Sequence, residues 1–364
     1  MMLRFLGIGA LTALLVTGGC SAPADGPTTP AATPVASLTT FFPTRTGPWE
    51  TIQPAAIGWD TTALRSALDW AGTQRSTAVV VLWRGRIVAE RYWRGWNVGT
   101  DSIIASAGKS VLSTLIGQLS ATGRLTLDDP VTRWLGAGWS RSPATEARIT
   151  VRDLLSMTSG LNDSLQLVAQ PGNRFYYNNP AYYQLFQVAQ RASGQEINSA
   201  SRALLFDAIG MSSTWRLSFD TGEPGFILSA TARDMARFGL LALSRGRWNG
   251  TAVVSDSTWF DRSWRAAPPD NAGYGYLWWL NSGASYRSPG PYLLPTVQAP
   301  LMPSAPRDLV AALGKGDKKI YVIPSLQVVV VRHGEEADAA GGNPLAISAF
   351  DEQWWQRLKV AMRY

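Results

Sequence analysis

An α/β (α+β) fold, in which helices flank a sheet and a mostly helical subdomain interrupts it, is what this sequence of 364 residues predicts. Three observations carry that expectation. β-rich apolar runs lie near both ends of the folded part, and helical periodicity fills the middle. The 34 Gly and 22 Pro, with 16 Trp, fit a turn-rich mixed protein better than a helical bundle. With 46% hydrophobic and 16% charged residues the chain can bury a sizeable core and does not read as disordered. The formal net charge of +7 suits residence near anionic envelope polymers and equally suits plain solubility. No basic run interleaved with aromatics points to nucleic acid.

Residues 1–19 place Arg4 before an apolar stretch from Phe5 to Val16 and close on Thr17, Gly18 and Gly19. That stretch is too short to span a bilayer and reads as a signal peptide. Cys20 follows at once and is the only cysteine, so an intramolecular disulfide is impossible. Its position resembles a bacterial lipobox, which implies lipid modification of Cys20 and a membrane partner on the periplasmic side of the cell envelope; an ordinary signal peptide with a passenger cysteine is the alternative. From there to residue 48 the Pro, Thr, Ala and Ser content predicts an extended tether.

The folded domain is expected over 49–364, with its α/β part at about 49–105 and 220–364 and its helical part at about 106–219. Thr61 to Gly72 reads as a helix, and Ala78 to Trp93 as a hairpin turning at Arg84, Gly85 and Arg86. Apolar positions Val111, Leu112, Leu115, Ile116 and Leu119 place a helix over 106–121, stopped near Gly123. Further helices are expected at Val151 to Met157, Pro180 to Arg191 and Ser199 to Ile209. Strands return at Ala311 to Leu313, Ile320 to Ile323 and Gln327 to Val331, before an amphipathic helix from Leu345 to Met362. Between Pro289 and Pro306 six prolines predict a long ordered loop, either a wall of the site or surface decoration.

Ser106, Ala107, Gly108 and Lys109 form S-x-x-K at the start of the apolar helix. Residues i and i+3 of a helix share a face, so the hydroxyl and the amine come within hydrogen-bond reach. A serine needs a base to become a nucleophile, and a desolvated lysine can serve where an arginine, always protonated, cannot. The sequence keeps only five lysines, and Lys109 is the only one before Lys315. Farther on, Tyr177, Asn178 and Asn179 supply a phenol that can relay a proton and an amide that can orient Lys109 or a substrate carbonyl.

Competing chemistries find less support. A P-loop would need a glycine where Ile103 stands. A Ser-His-Asp hydrolase would depend on His333, the only histidine, with no G-x-S-x-G elbow before it. No His, Cys and carboxylate cluster suggests a metal, and no cofactor is expected.

From about Trp59 onward the chain resembles the serine β-lactamase and penicillin-binding-protein superfamily. The likeness is to the branch of class C β-lactamases, DD-peptidases, β-lactamase-like esterases and 6-aminohexanoate-oligomer hydrolases. Beside S-x-x-K and Y-x-N it shares "LTLDDPV" at Leu125 to Val131 and "ITVRDLLSMTSGL" at Ile149 to Leu161. It also shares "SATARDMARFG" at Ser229 to Gly239 and "YGYLWWL" at Tyr274 to Leu280. The resemblance implies an antiparallel sheet flanked by helices. It implies a serine hydrolase acting on a small-molecule or peptide acyl substrate, with Ser106, Lys109 and Tyr177 catalytic and Asn179 binding substrate. A third motif then falls on Lys315, Gly316 and Lys318: Lys315 supplies positive charge, and a backbone N–H near Lys318 joins that of Ser106 as an oxyanion hole. Asp317 stands where the family usually has glycine. A penicillin- or muropeptide-binding lipoprotein, acylated without turnover, is the alternative from another class.

Overall fold

The computed structural model describes residues 38–219, 225–289, 295–337 and 347–364. Cys20, the signal peptide and most of the tether lie outside the described residues. Thr39–Tyr364 forms one compact unit.

Its framework is a six-stranded antiparallel sheet in the order β2-β1-β11-β10-β9-β8. The strands are β1 (Ser76–Trp83), β2 (Arg86–Tyr92), β8 (Trp279–Leu280), β9 (Val310–Gly314), β10 (Lys318–Ile323) and β11 (Val328–Gly334). Every residue of β11 is buried, and so are all but the last of β1. Helices cover both faces of the sheet, so these strands read as continuous Val-rich runs and not as alternating ones. The alternation survives in their partners. Ile320 and Val329 face α9 (Ala232–Leu243), where a Cβ on Gly239 would sit 2.5 Å from Val329 Cγ1, so the helix needs glycine to lie this close. Lys319 and Tyr321 face the other way, toward α11 (Ala349–Met362), which packs with α1 (Thr61–Thr73).

A second sheet of three strands, absent from the sequence expectation, joins β3 (Asp101–Ile103), β5 (Gly225–Thr231) and β4 (Thr214–Ser218) in the order β3-β5-β4. β4 therefore ends the segment expected to be mostly helical. The helical part comprises α2 (Gly108–Ala121), α3 (Val131–Leu135), α4 (Pro143–Glu146), α5 (Val151–Leu155), α6 (Asn179–Ser193) and α7 (Ile197–Ser201), with a π turn leading into α8 (Asp207–Ile209). The remaining elements are the small β6 (Arg247–Trp248) and β7 (Thr251–Ala252) ribbon and α10 (Trp259–Ser263). Helix α2 is buried from Gly108 to Leu119, as expected of a helix apolar around most of its circumference.

The quoted motifs are the struts of this arrangement. Thr150 and Asp153 form a capping box that starts α5, and Thr231 and Asp234 form another that starts α9. "YGYLWWL" lies along α2, where Ser110 Oγ donates to Leu277 O at 2.7 Å and Ser113 Oγ to Tyr276 O at 2.7 Å. Of the Pro-rich segment, 290–294 lies outside the described residues. The rest is tied down by Asn281, whose buried Nδ2 donates to the carbonyls of Met302, Ala305 and Pro306 at 3.0, 3.3 and 3.0 Å. It is an ordered loop, and Pro289 reaches the cleft described next.

Candidate active site

Ser106 lies in a 3-10 turn, Ala105–Ala107, and α2 proper begins at Gly108, two residues later than the periodicity suggested. The turn hangs from β3: Ile104 N donates to Leu228 O on β5 at 2.8 Å. Ala105 takes φ +49°, a left-handed conformation that costs an alanine of order 1 kcal/mol or more and turns the chain so that Ser106 faces the cleft. β9 closes in behind. A Cβ on Gly314 would lie 2.3 Å from Ile104 O and 3.1 Å from Ala107 N, so only glycine lets the strand approach the serine this closely.

Lys109 projects from the first turn of α2, 5% exposed, with Nζ 3.2 Å from Ser106 Oγ. Its ammonium position is 4.2 Å from the centroid of the Tyr182 ring and 5.0 Å from that of Tyr177. Tyr177 lines the same cleft as Ser106, and burial pushes its phenol well above the usual tyrosine range, the Ser106 side chain opposing the rise. Its ring stacks on Trp279 at 6.0 Å and 18°.

Asn178, between the two expected site residues, does structural work. Its Oδ1 accepts from Ala181 N at 2.8 Å to cap α6, and its Nδ2 donates to Leu161 O and Asn162 O at 2.7 and 2.9 Å. That clamp on "ITVRDLLSMTSGL" fixes the two flanking residues toward the cleft. Asn179 lines it, with a buried Oδ1 that has no hydrogen-bond partner among the described residues.

Lys315, Gly316 and Lys318 line the same cleft, about 1430 Å³ in volume. Lys315–Asp317 is the turn between β9 and β10, and the residue pressed against the Ser106 turn is Gly314, with Lys318 across the turn from it. Asp317, which the sequence reading set against a family glycine, takes φ +55°, a conformation Asp tolerates better than most side chains. Its carboxylate is buried on the far face, accepting from Ala337 N at 2.9 Å and Ser348 Oγ at 2.7 Å and pairing with Lys319 at 3.0 Å. Lys319, Arg332 and these hydrogen bonds hold Asp317 below the usual carboxylate range. The departure from glycine thus serves to brace the turn.

His333 is not among the residues that line the cleft. It is fully buried on β11, its Nε2 is 2.9 Å from Ala230 O, and burial lowers its pKa to about 4. The ring is therefore neutral in the fold, whereas the unfolded chain titrates near 6.5. Because the unfolded state binds the proton first, stability present above pH 6.5 should be lost as pH falls toward 4, by about 3 kcal/mol. Urea titrations across that window should show the loss in the wild type and a smaller one in His333→Gln; equal losses would assign the acid sensitivity elsewhere.

Two contributors, Tyr182 and Ala105, escaped the sequence reading. Tyr182 follows Asn179 by three residues on a helix, a spacing that could have shown it. Nothing local marked Ala105.

A buried lysine beside a serine at a helix start, with a tyrosine in the same cleft and a strand behind it, is an arrangement whose chemistry suits acyl transfer to a serine. The sequence pattern of the Beta-lactamase family matches residues 64–331, and this chain belongs to that family. A 6-aminohexanoate-dimer hydrolase homologue from Bacillus anthracis is similar at 18% identity, covering 87% of this chain and 86% of its own, with a TM-score of 0.63. A beta-lactamase from Mycobacterium bovis is similar at 21% identity over 82% of this chain and 100% of its own, with a TM-score of 0.61. An uncharacterized protein of Alkalihalophilus pseudofirmus is 22% identical over 291 residues, 70% of this chain and 82% of that protein. The six-stranded antiparallel sheet flanked by helices is the fold expected of this family.

Proposed function

We propose that this protein hydrolyses an amide or ester through an acyl-enzyme on Ser106. The observation that carries the reading is the 3.2 Å approach of Lys109 Nζ to Ser106 Oγ inside a cleft that Tyr177 shares. Lys109 takes the serine proton as Oγ attacks the carbonyl carbon. Tyr177, whose phenol stays protonated at neutral pH, passes a proton to the leaving group and is reprotonated through the same network. Water then attacks the acyl-enzyme, with the proton returned to Ser106. The developing oxyanion is held by the backbone N–H of Ser106 and one from the turn after Gly314; the packing of Gly314 favours that of Lys315 over one near Lys318. Asn179 offers its unpartnered amide oxygen to a substrate N–H, and Lys315 and Lys318 give the opposite rim positive charge for an anionic group.

The experiment is a burst-and-turnover assay on purified protein with a short ester, a chromogenic cephalosporin, a D-Ala-D-Ala peptide and an aminohexanoate dimer. A hydrolase shows continued turnover after the first equivalent on at least one substrate. One equivalent of acylation and no more would make the protein a penicillin- or muropeptide-binding protein. We further hold that Cys20 carries lipid and keeps the enzyme at the envelope membrane. Fractionating cells that carry Cys20→Ser tests this, and a wild type already free of the membrane fraction ends it.

A further inference from the structure

The wall of the cleft that starts at the catalytic lysine carries several aromatic rings. Tyr182, 4.2 Å from Lys109 Nζ, contacts Tyr183 with ring centroids 5.6 Å apart. The ring of Tyr183 lies over Gly225, where a Cβ would sit 2.5 Å from three of its atoms. The next residue, Phe226, pairs across the strands with Leu217. Leu217 shares the face of β4 with Trp215, whose ring flanks the start of α2: a Cβ on Gly108 would lie 3.3 Å from its Cζ3.

This wall ends in an exposed apolar side chain. Leu217 is 56% exposed yet lines the cleft that holds Ser106, beside the half-buried Phe226 that it pairs with across the strands. Arg216, which alternates with Trp215 and Leu217 along β4 and also lines the cleft, is paired with Asp101 at 3.1 Å. Apolar groups left wet beside a reactive serine mark a surface that a ligand covers. An acetyl or a zwitterionic peptide end would leave the rim uncovered. Leu217 lies two residues, roughly 7 Å, beyond Trp215 along the strand.

Resting on the reading of Ser106 as nucleophile, we infer that the substrate carries an apolar group several carbons long, laid along Tyr183, Phe226 and Trp215 to reach Leu217. The substrate class is an ester or amide of a medium-chain aliphatic or an aryl acid, and not a short polar peptide. Aromatic side chains suit this role because they present broad apolar area with few rotamers to freeze.

The test uses the full chain and p-nitrophenyl acetate, butyrate, hexanoate and octanoate, with intact-mass detection of the acyl-enzyme. In the wild type, kcat/KM should rise about two- to fourfold per methylene up to hexanoate, the gain from burying each CH₂ in part or in full. Leu217→Asp should lower the hexanoate-to-acetate ratio at least fivefold, and Leu217→Met should restore it; the exposure of this position keeps both variants folded. A flat chain-length profile in the wild type overturns the inference, and so does a ratio that Leu217→Asp leaves unmoved, while acylation of Ser106 would still stand. If no ester acylates Ser106, the nucleophile assignment falls and takes this inference with it.

Discussion

Ser106→Ala should abolish covalent labelling and nearly all turnover, and Lys109→Arg should cost about 10³-fold or more in kcat/KM, close to the upper range for losing a positioned base. The arginine keeps the positive charge, and its stem can follow the same path between the rings of Tyr177 and Tyr182. What it cannot do is accept the serine proton, because a guanidinium stays protonated at any ordinary pH. The comparison therefore separates proton acceptance from charge. If Lys109 only stabilised negative charge, the arginine variant would retain most of the rate. The double variant should be little worse than Ser106→Ala alone, since groups acting as one unit are not additive. Stopped-flow acylation with the best substrate of the screen is the measurement. Near wild-type acylation by Lys109→Arg would remove the lysine from the base role.

Tyr177→Phe should slow turnover by about 10²- to 10⁴-fold while leaving the fold intact. The substitution removes one oxygen and keeps the ring, so the stack on Trp279 at 6.0 Å and the approach to Lys109 at 5.0 Å both persist. The loss then reports the hydroxyl alone. Burial raises the phenol above its ordinary range, so the group is a proton donor at neutral pH and not a resting phenolate. The effect should accordingly fall more heavily on amides, whose leaving nitrogen must be protonated, than on p-nitrophenyl esters, whose leaving group departs as an anion. Rates on both substrate classes, with thermal midpoints as a control for folding, check this. Equal losses on both would reassign Tyr177 to deacylation, and a loss under threefold on both would remove it from proton transfer.

Much of this site was legible before any coordinates. S-x-x-K announces a serine and an amine on one helical face, and in a sequence that spends so few lysines a lysine at that place stands out. Tyr177 and Asn179 bracket Asn178, a residue type that caps helices, so the Y-x-N spacing already contains its own support. The Val-rich runs near the C-terminus and the hairpin at Arg84 to Arg86 specified the main sheet, because strands covered on both faces need no alternation.

The rest depended on contacts between residues far apart in the chain. Short strands such as Asp101–Ile103 and Thr214–Ser218 carry too little pattern to be seen alone; they become strands because Gly225–Thr231 lies between them. His333 could have been a base or a buried prop, and what decided it was Ala230 O at 2.9 Å, from a residue 103 positions away. Asp317 read as a misfit until its left-handed backbone and its partners from β10 and the start of α11 came into view. The sequence by itself determined which groups can do chemistry and roughly which elements carry them, since both follow from side-chain identity and local periodicity. Only the tertiary structure decided which of those groups meet: the strained turn at Ala105, the pressure of Gly314 behind it and the aromatic wall running out to Leu217 arise from long-range packing, to which local sequence carries no direct signal.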